Sequence, residues 1–303
     1  MKQALLLVAH GTVDDLGDLP EFVTRIRRGH PAPPELLAEL RRRYEAIGGQ
    51  SPLNAINRRL AARVEEATGV TTRIANRLAR PFVNEVVAEL AKEGATHLAS
   101  VPLAQYSAHV YAEAVEAAAE AAGIAATCAK SWSEEPALIA AYAGAIGEAL
   151  AGIDASRATV VLTAHSLPVA AIRAGDSYER EFRAAAEAIV TRLVSRAGEP
   201  LPRTVVAFQS QGMSAGPGGK PMEWLGPDLT ATIDACHARG DRDVVFAPVG
   251  LLADHVEILY DLDLEARGWV EERGMIFHRT RSLNDGDAIV GAIAGVAKTL
   301  LHA

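Results

Sequence analysis

The chain has 303 residues, of which 49% are apolar and 22% charged, and its formal net charge at pH 7 is -8. This length allows two domains with sizeable cores, and the composition is ordinary for a globular protein. The acidic balance, without a basic stripe, argues against nucleic-acid binding. Cys128 and Cys236 are far apart and outside any CxxC pattern. We therefore expect no disulfide framework, zinc ribbon or cysteine-held iron–sulfur cluster.

The first ten residues contain an apolar run that is too short for a signal peptide and that favours a strand. No stretch of the sequence approaches the length of an apolar membrane span. We therefore expect a cytoplasmic protein without a transmembrane segment.

Apolar runs that favour strands alternate with helical patterns along the chain. The predicted strands are residues 4–9, 73–78, 96–104, 124–131, 158–164, 203–209, 243–249 and 275–280. The predicted helices are residues 35–47, 52–69, 82–93, 107–122, 136–151, 178–196, 227–239, 254–267 and 286–301. This alternation predicts parallel sheets with helices on both faces.

Two segments of the first half are repeated, in the same order, in the second half. Residues 5–11 resemble residues 160–166, and each segment ends an apolar run with an Ala-His pair. Residues 101–109 resemble residues 247–255, and each segment has a proline in its second position and a histidine in its last. The simplest interpretation is two similar α/β domains.

We place these domains at residues 1–151 and 152–303, with the last helix free to pack back on the first domain. His10 and His165 each follow a predicted strand, and ligands of open α/β sheets bind beyond the carboxyl ends of the strands. If the domains face each other, the two histidines approach one cleft from opposite walls. The alternative for either histidine is a satisfied core or loop residue.

Glu257, Asp261 and Glu265 are spaced four residues apart in the predicted helix 254–267. Such positions lie on one face of an α-helix, where like charges repel each other without a compensating partner. The spacing therefore predicts that a cation binds along this row. The alternative is an acidic face that is merely solvated.

Further motifs follow one another along the chain: YEAIGGQSPL at 44–53, AHSLP at 164–168, GDSY at 175–178, QSQ at 209–211, WLGP at 224–227 and PVGLLADHVEILY at 248–260. Together they resemble the motifs of the ferrochelatases, which are lyases that insert ferrous iron into a porphyrin during haem synthesis. The resemblance runs nearly end to end and is closest to the coproporphyrin-type bacterial subgroup.

The resemblance implies two similar Rossmann-like domains, each with a four-stranded parallel sheet flanked by helices, and a porphyrin cleft between them. It implies that His165 and Glu257 are catalytic and form the inner metal site. It also implies that Asp261 and Glu265 form an outer cation site. Fe²⁺ is then a substrate, and we expect no tightly bound cofactor.

The chemistry of metallation suits these residue types. Two pyrrole protons must leave while a divalent ion enters, and a neutral imidazole is both a base near physiological pH and a ligand for ferrous iron. A carboxylate in a partly desolvated cleft is poised to accept or relay protons. Carboxylates spaced along a helix suit a hydrated divalent ion that sheds its water stepwise.

The porphyrin is a flat apolar disc with carboxylate tails, so its site needs an apolar slot and cations at the mouth. Arg27, Arg28 and Arg77 are candidates, because a guanidinium group pairs with a carboxylate through two hydrogen bonds. The alternative for each arginine is a surface charge. His10 and Ser51 complete the predicted porphyrin contacts, and the alternative for Ser51 is capping of its helix.

The chain also departs from the family pattern. The position of His10 is usually a tyrosine in the coproporphyrin subgroup, and Val13 and Gln50 differ as well. Residues 213–221 look like an insertion.

Two other functions stay open at this point. One is a non-catalytic tetrapyrrole or metal carrier, which would not need both a base and an acidic metal path. The other is a cobalt or nickel chelatase acting on sirohydrochlorin, because the His-Gly-Thr segment at residues 10–12 is similar to that smaller family. We expect a monomer that binds porphyrin and Fe²⁺ and makes at most transient contacts with other haem-pathway enzymes.

Overall fold

A computed structural model describes residues 2–196, 200–212 and 222–302, so the predicted insertion at 213–221 lies outside the described residues. Within these ranges the strands are β1 Gln3–Ala9, β2 Thr72–Asn76, β3 His97–Pro102, β4 Ala125–Cys128, β5 Ala158–His165, β6 Arg203–Gln209, β7 Asp243–Ala247 and β8 Ile276–Arg279. They form two parallel four-stranded sheets, ordered β2-β1-β3-β4 and β6-β5-β7-β8. The predicted fold class is confirmed, and the matching strand orders explain the sequence repeat.

The helices of the described residues are α1 Leu19–Ile26, α2 Pro34–Ala46, α3 Leu53–Thr68, α4 Val83–Lys92, α5 Ala108–Ala122, α6 Pro136–Ala149, α7 Val169–Arg173, α8 Tyr178–Arg196, α9 Leu229–Arg239, α10 Val256–Leu259, α11 Arg267–Glu272 and α12 Asp287–Leu301. Two 3₁₀ turns, Leu16–Asp18 and Ala155–Arg157, and a π-helix, Asp261–Ala266, complete the set. None of the helices in the described ranges combines the length and apolar character needed to cross a bilayer.

The chain divides into two compact units with interleaved boundaries. The first comprises Met1–Ala137, Ala253–Val256 and Leu283–Ala303, and the second comprises Leu138–Leu252 and Glu257–Ser282. The helix α12 belongs to the first unit, where it contacts α3 and β3. The domain boundary that the sequence predicts between residues 151 and 152 stays a prediction.

The central strand of each sheet is almost completely buried. Residues 4–9 of β1 are buried, and so are all residues of β5 except His165 at its end. This burial follows from the parallel architecture, because helices cover both faces of such a sheet. The apolar character of β5 therefore ends where the chain leaves the core, and His165 is the first residue that solvent reaches.

The loop after β7 passes very close to the end of β5. The amide of Gly250 donates a hydrogen bond of 2.8 Å to the carbonyl of Thr163. A Cβ atom placed on Gly250 would lie 2.4 Å from Cβ of Ala164, a distance at which one of the two segments must move. The motif at residues 248–260 thus requires glycine here for a steric reason.

We expect Gly250→Ala to lower the free energy of unfolding by about 1–3 kcal/mol, which is the usual cost of overpacking a tight site. Urea denaturation measures this change. The matched control is Gly268→Ala on α11, where no atom of the described residues lies within 4 Å of the added Cβ. Because alanine favours a helix over glycine, the control should gain about 0.5–1 kcal/mol. Equal stability of Gly250→Ala and wild type would contradict the close approach.

Candidate active site

His165 ends β5 at the carboxyl edge of the second sheet, where its side chain meets Glu257. The imidazole Nε2 lies 3.4 Å from Oε1 of Glu257, and the two side chains are 32% and 33% exposed. Glu257 belongs to the first turn of α10. The structure therefore brings together the two residues that were predicted to be catalytic.

The second ring nitrogen fixes the orientation of the imidazole. Nδ1 of His165 lies 2.5 Å from the backbone carbonyl of Ser166. A carbonyl oxygen can only accept, so Nδ1 carries a proton and donates it. The Nε2 atom is consequently the one that faces Glu257, and it is the atom available for metal or proton exchange.

The charge state of His165 differs from the expected neutral base. Burial of the ring lowers its pKa, but the carboxylate of Glu257 opposes this effect through charge and hydrogen bonding. The hydrogen bond to the Ser166 carbonyl and the negative charge of Asp261 also favour the protonated ring. Together with Glu257 they raise the pKa of His165 to about 9. At neutral pH the ligand-free protein therefore holds an imidazolium–carboxylate pair.

Backbone contacts hold the segment that follows His165. The hydroxyl of Tyr178 donates to the carbonyl of His165 at 3.0 Å, and the hydroxyl of Ser166 donates to the carbonyl of Leu225 at 2.9 Å. The amide of Leu225 in turn donates to Leu167, also at 2.9 Å. These contacts explain the GDSY and WLGP motifs, since both anchor the loop that carries the histidine.

A helical segment is present where a helix was predicted at residues 254–267, but only part of it is α-helical. The chain forms a short α-helix, α10, then the π-helix Asp261–Ala266, and then α11. The amide of Glu265 donates to the carbonyl of Tyr260, five residues earlier, at 3.0 Å. The wider turn changes the angular spacing of residues, so the acidic row does not follow one straight α-helical face.

The three carboxylates of this row have different surroundings. Asp261 is only 4% exposed and accepts a short hydrogen bond from the hydroxyl of Ser210. Glu265 is half-buried, as is Glu257. The alternative of a simply solvated acidic face therefore does not describe Asp261.

The geometry offers a pair of donors rather than a closed cage for iron. Within residues 2–196, 200–212 and 222–302, no group of three or more His, Cys, Asp or Glu side chains is arranged to hold a metal ion. The four predicted metal ligands His165, Glu257, Asp261 and Glu265 thus do not form a preassembled centre. Their assignment as ligands stays a prediction.

The other predicted contacts, His10, Arg27, Arg28, Ser51 and Arg77, lie in the first unit. His10 is exposed after β1, and its ring meets Phe22 edge-on with the centroids 6.1 Å apart. The strand end before it is held by the amide of Arg77, which donates to Ala9 at 2.9 Å.

The three arginines differ in their surroundings. Nε of Arg27 donates to the carbonyl of His30 at 3.2 Å. Arg28 is exposed and has a left-handed backbone, with φ of 56°. Arg77 is exposed too, and its guanidinium carbon lies 5.9 Å from the centre of the Tyr111 ring.

Ser51 is nearly buried, at 2% exposure, and accepts a long hydrogen bond of 3.4 Å from the amide of Leu53. The N-cap position of α3 is occupied by Pro52 rather than by Ser51. Ser51 therefore accepts a hydrogen bond from the first residue of α3, although it lies one residue before the N-cap.

Comparison with known proteins places the chain in a family. The ferrochelatase family model matches residues 2–301. The chain belongs to the ferrochelatase family. It is 33% identical to a ferrochelatase from Acidobacterium capsulatum, covering 98% of this chain and 94% of that protein. It is 32% identical to the coproporphyrin III ferrochelatase of Bacillus subtilis, covering 97% and 96%.

Solved structures support the fold. SirB from Bacillus subtilis with Fe³⁺ matches with a TM-score of 0.60 at 16% identity, covering 99% of this chain and 96% of that one. This likeness concerns the fold alone. The predicted family and the predicted enzyme class are confirmed by the family match, so the protein inserts iron into a porphyrin for haem synthesis.

The pairing of His165 with Glu257 predicts a pH dependence of stability. The pKa of His165 is raised from 6.5 to about 9 in the folded chain, so between these values the folded state binds more protons than the unfolded state. The stabilisation is complete below pH 6.5 and is lost as the pH rises through about 9.

We expect the free energy of unfolding of the wild type to fall more steeply over this interval than that of Glu257→Gln, which keeps the shape and removes the charge. Denaturant titrations at several pH values measure both slopes. Other titrating groups cancel in the comparison, so equal slopes would show that the pair does not hold the proton.

Proposed function

We propose that this ferrochelatase acts on coproporphyrin III and that His165 and Glu257 transfer the protons. The observation that carries the assignment of roles is the separation of 3.4 Å between Nε2 and Oε1 at the carboxyl edge of the sheet. At this distance the imidazolium and the carboxylate form an ion pair, and both stay accessible, since each side chain is about one-third exposed. A carrier would need no such pair.

The reaction starts from the imidazolium–carboxylate pair. The approach of Fe²⁺ adds positive charge beside the imidazolium, which lowers its pKa and releases the proton to solvent. The lone pair of Nε2 is then available to take one pyrrole proton, and the carboxylate of Glu257 takes the other. Iron replaces the two protons on the macrocycle, so that charge and atoms balance.

We propose a graded metal path, in which the three carboxylates along this helical segment act on the metal at successive stages. Glu257 acts in the chemistry, because it is the carboxylate that contacts His165. Glu265 is half-buried and is proposed to collect the hydrated ion. Asp261 is buried and already accepts a hydrogen bond, so we assign it the intermediate role of drawing the ion inward by its charge.

The proposed porphyrin rests on the chemistry of its carboxylates. Coproporphyrin III carries more propionate groups than protoporphyrin IX and therefore needs more cations. Arg28 and Arg77 are exposed and available for this role, and we retain Arg27, His10 and Ser51 as further proposed contacts. Full-length similarity to the coproporphyrin III ferrochelatases of Bacillus subtilis and Anoxybacillus flavithermus supports the same choice.

We also propose a cytoplasmic monomer without a resident cofactor. Iron enters as a substrate and leaves inside the porphyrin, so no metal has to stay bound. Cys128 and Cys236 are free thiols, which suits a reducing compartment.

Initial rates of ferrous iron insertion into coproporphyrin III and protoporphyrin IX test the substrate. We expect kcat/KM for coproporphyrin III to be at least about tenfold higher, which corresponds to about 1.4 kcal/mol of transition-state stabilisation. His165→Ala should abolish turnover with either porphyrin while binding stays measurable. His237→Ala, an exposed histidine on α9, is the control. A preference for protoporphyrin IX would refute the proposed substrate.

Metal titrations at saturating porphyrin test the graded path. Glu257→Gln should lower the saturated rate, whereas Glu265→Gln should raise the apparent Michaelis constant for iron and leave the saturated rate nearly intact. The effect of Glu265→Gln should shrink as salt screens the attraction. Glu272→Gln, which removes the same charge from an exposed site on α11, is the control. If Glu265→Gln lowers the saturated rate and Glu257→Gln alters only the metal constant, the path runs in the opposite direction.

A further inference from the structure

Gln209 ends β6 and is the parallel partner of His165 on β5. Its backbone carbonyl accepts a hydrogen bond of 2.7 Å from the amide of Ser166, the residue after the histidine. Its side chain is only 1% exposed, so both polar atoms of the amide need partners inside the protein.

The side chain of Gln209 connects β5 with the start of the acidic helix. Nε2 of Gln209 donates to the backbone carbonyl of Glu257 at 2.8 Å. Oε1 accepts from the hydroxyl of Thr163 at 2.7 Å. The backbone carbonyl of Glu257 can only accept a hydrogen bond, so the NH₂ group of the Gln209 side chain must face it. The side-chain oxygen of Gln209 then faces the hydroxyl of Thr163.

One buried amide therefore holds both members of the proposed catalytic pair. The backbone of Gln209 accepts a hydrogen bond from the segment of His165, and its side chain donates one to the backbone of Glu257. Thr163, which is fully buried two residues before His165 on the same strand, keeps the amide from rotating. These hydrogen bonds join groups on β5, β6 and α10.

We propose that Thr163 and Gln209 are positioning residues that set the separation between Nε2 of His165 and the carboxylate of Glu257. The inference rests on the proposed function, because it assigns a purpose to that separation. Loss of the Thr163 hydroxyl leaves a buried amide oxygen unpaired, and the amide then turns or shifts to find another partner. A displacement of about 1 Å at a catalytic group is enough to cost up to about a hundredfold in rate.

The test compares Thr163→Val, which has nearly the same shape without the hydroxyl, with Thr163→Ser, which keeps it. We expect Thr163→Val to lower kcat about tenfold or more, with the Michaelis constant for porphyrin changed less than about threefold. Thr163→Ser should recover most of the turnover.

Thr159→Val is the matched control for a merely structural effect. Thr159 lies on the same strand, is also fully buried, and donates a hydrogen bond of 2.7 Å to Asp241. It is at the amino end of β5, away from the pair. We expect this variant to lower the unfolding midpoint about as much as Thr163→Val while keeping its kcat. Equal turnover in Thr163→Val and Thr159→Val would overturn the inference.

A double variant shows whether Thr163 acts through Glu257. In the background of Glu257→Gln, Thr163→Val should reduce kcat by less than about threefold further, because the group it positions is already removed. Full multiplication of the two effects would overturn the inference. The proposed function fails separately if Glu257→Gln alone retains wild-type turnover, whereas the inference alone fails if Glu257→Gln is impaired and Thr163→Val is not.

Discussion

The parallel register between β5 and β6 is the constraint on which the site depends. It pairs His165 with Gln209 and brings the amide of Ser166 to the carbonyl of Gln209. Side chains alternate along a strand, so a slip of one residue would turn every one of them to the opposite face. Both faces of β5 are packed with buried side chains of different shape, such as Leu162 and Thr163, so a slip would exchange them between two fitted faces and would be unfavourable. The position of His165 on the strand is therefore fixed by the packing of the core.

Much of this arrangement follows from the sequence, because the long elements have clear periodicity. Each predicted strand and helix has a counterpart, and the repeated Ala-His units occupy equivalent strands of the two sheets. The helices Leu19–Ile26 and Val169–Arg173 were not predicted. Both are short and have proline at or near their first residue, so local pattern gives little signal for them. Tertiary packing rather than propensity decides whether such segments become helical.

The π-helix and the burial of Asp261 could not be predicted from the periodicity of the sequence. Spacing of four residues looks alike for an α-turn and for the first turn of a π-helix, and only the hydrogen bonds separate them. Those bonds coincide with side-chain contacts from two residues at strand ends, Ser210 directly after β6 and Arg279 at the end of β8. Ser210 donates to Asp261, and Arg279 pairs with Asp263 through bonds of 2.7 and 3.0 Å. Contacts of this kind depend on the completed sheet, and no local pattern predicts them.

The role of Gln209 was missed for a related reason. The QSQ motif was noted, but a glutamine at the end of a strand is as compatible with a loop anchor as with a wall contact. What distinguishes it is the pair of partners, one from β5 and one from α10. The motif shows that Gln209 belongs to the family pattern. Its hydrogen-bond partners become visible only when β5, β6 and α10 are assembled around its side chain.

Among the residues that the structure describes, two possible metal donors pair at the strand edge, which fits a protein that must release its metal. A closed site with three or four protein ligands would bind a divalent ion tightly, and the macrocycle would then have to strip every ligand away. His165 and Glu257 offer a nitrogen and a carboxylate, and each of these groups can also bind a proton. In the ligand-free chain their opposite charges neutralise each other. An incoming cation would therefore meet a site of little net charge, and in the proposed path the further carboxylates of Asp261 and Glu265 along the same segment supply the attraction. In the proposed path, this separation of attraction from chemistry keeps iron available to the porphyrin.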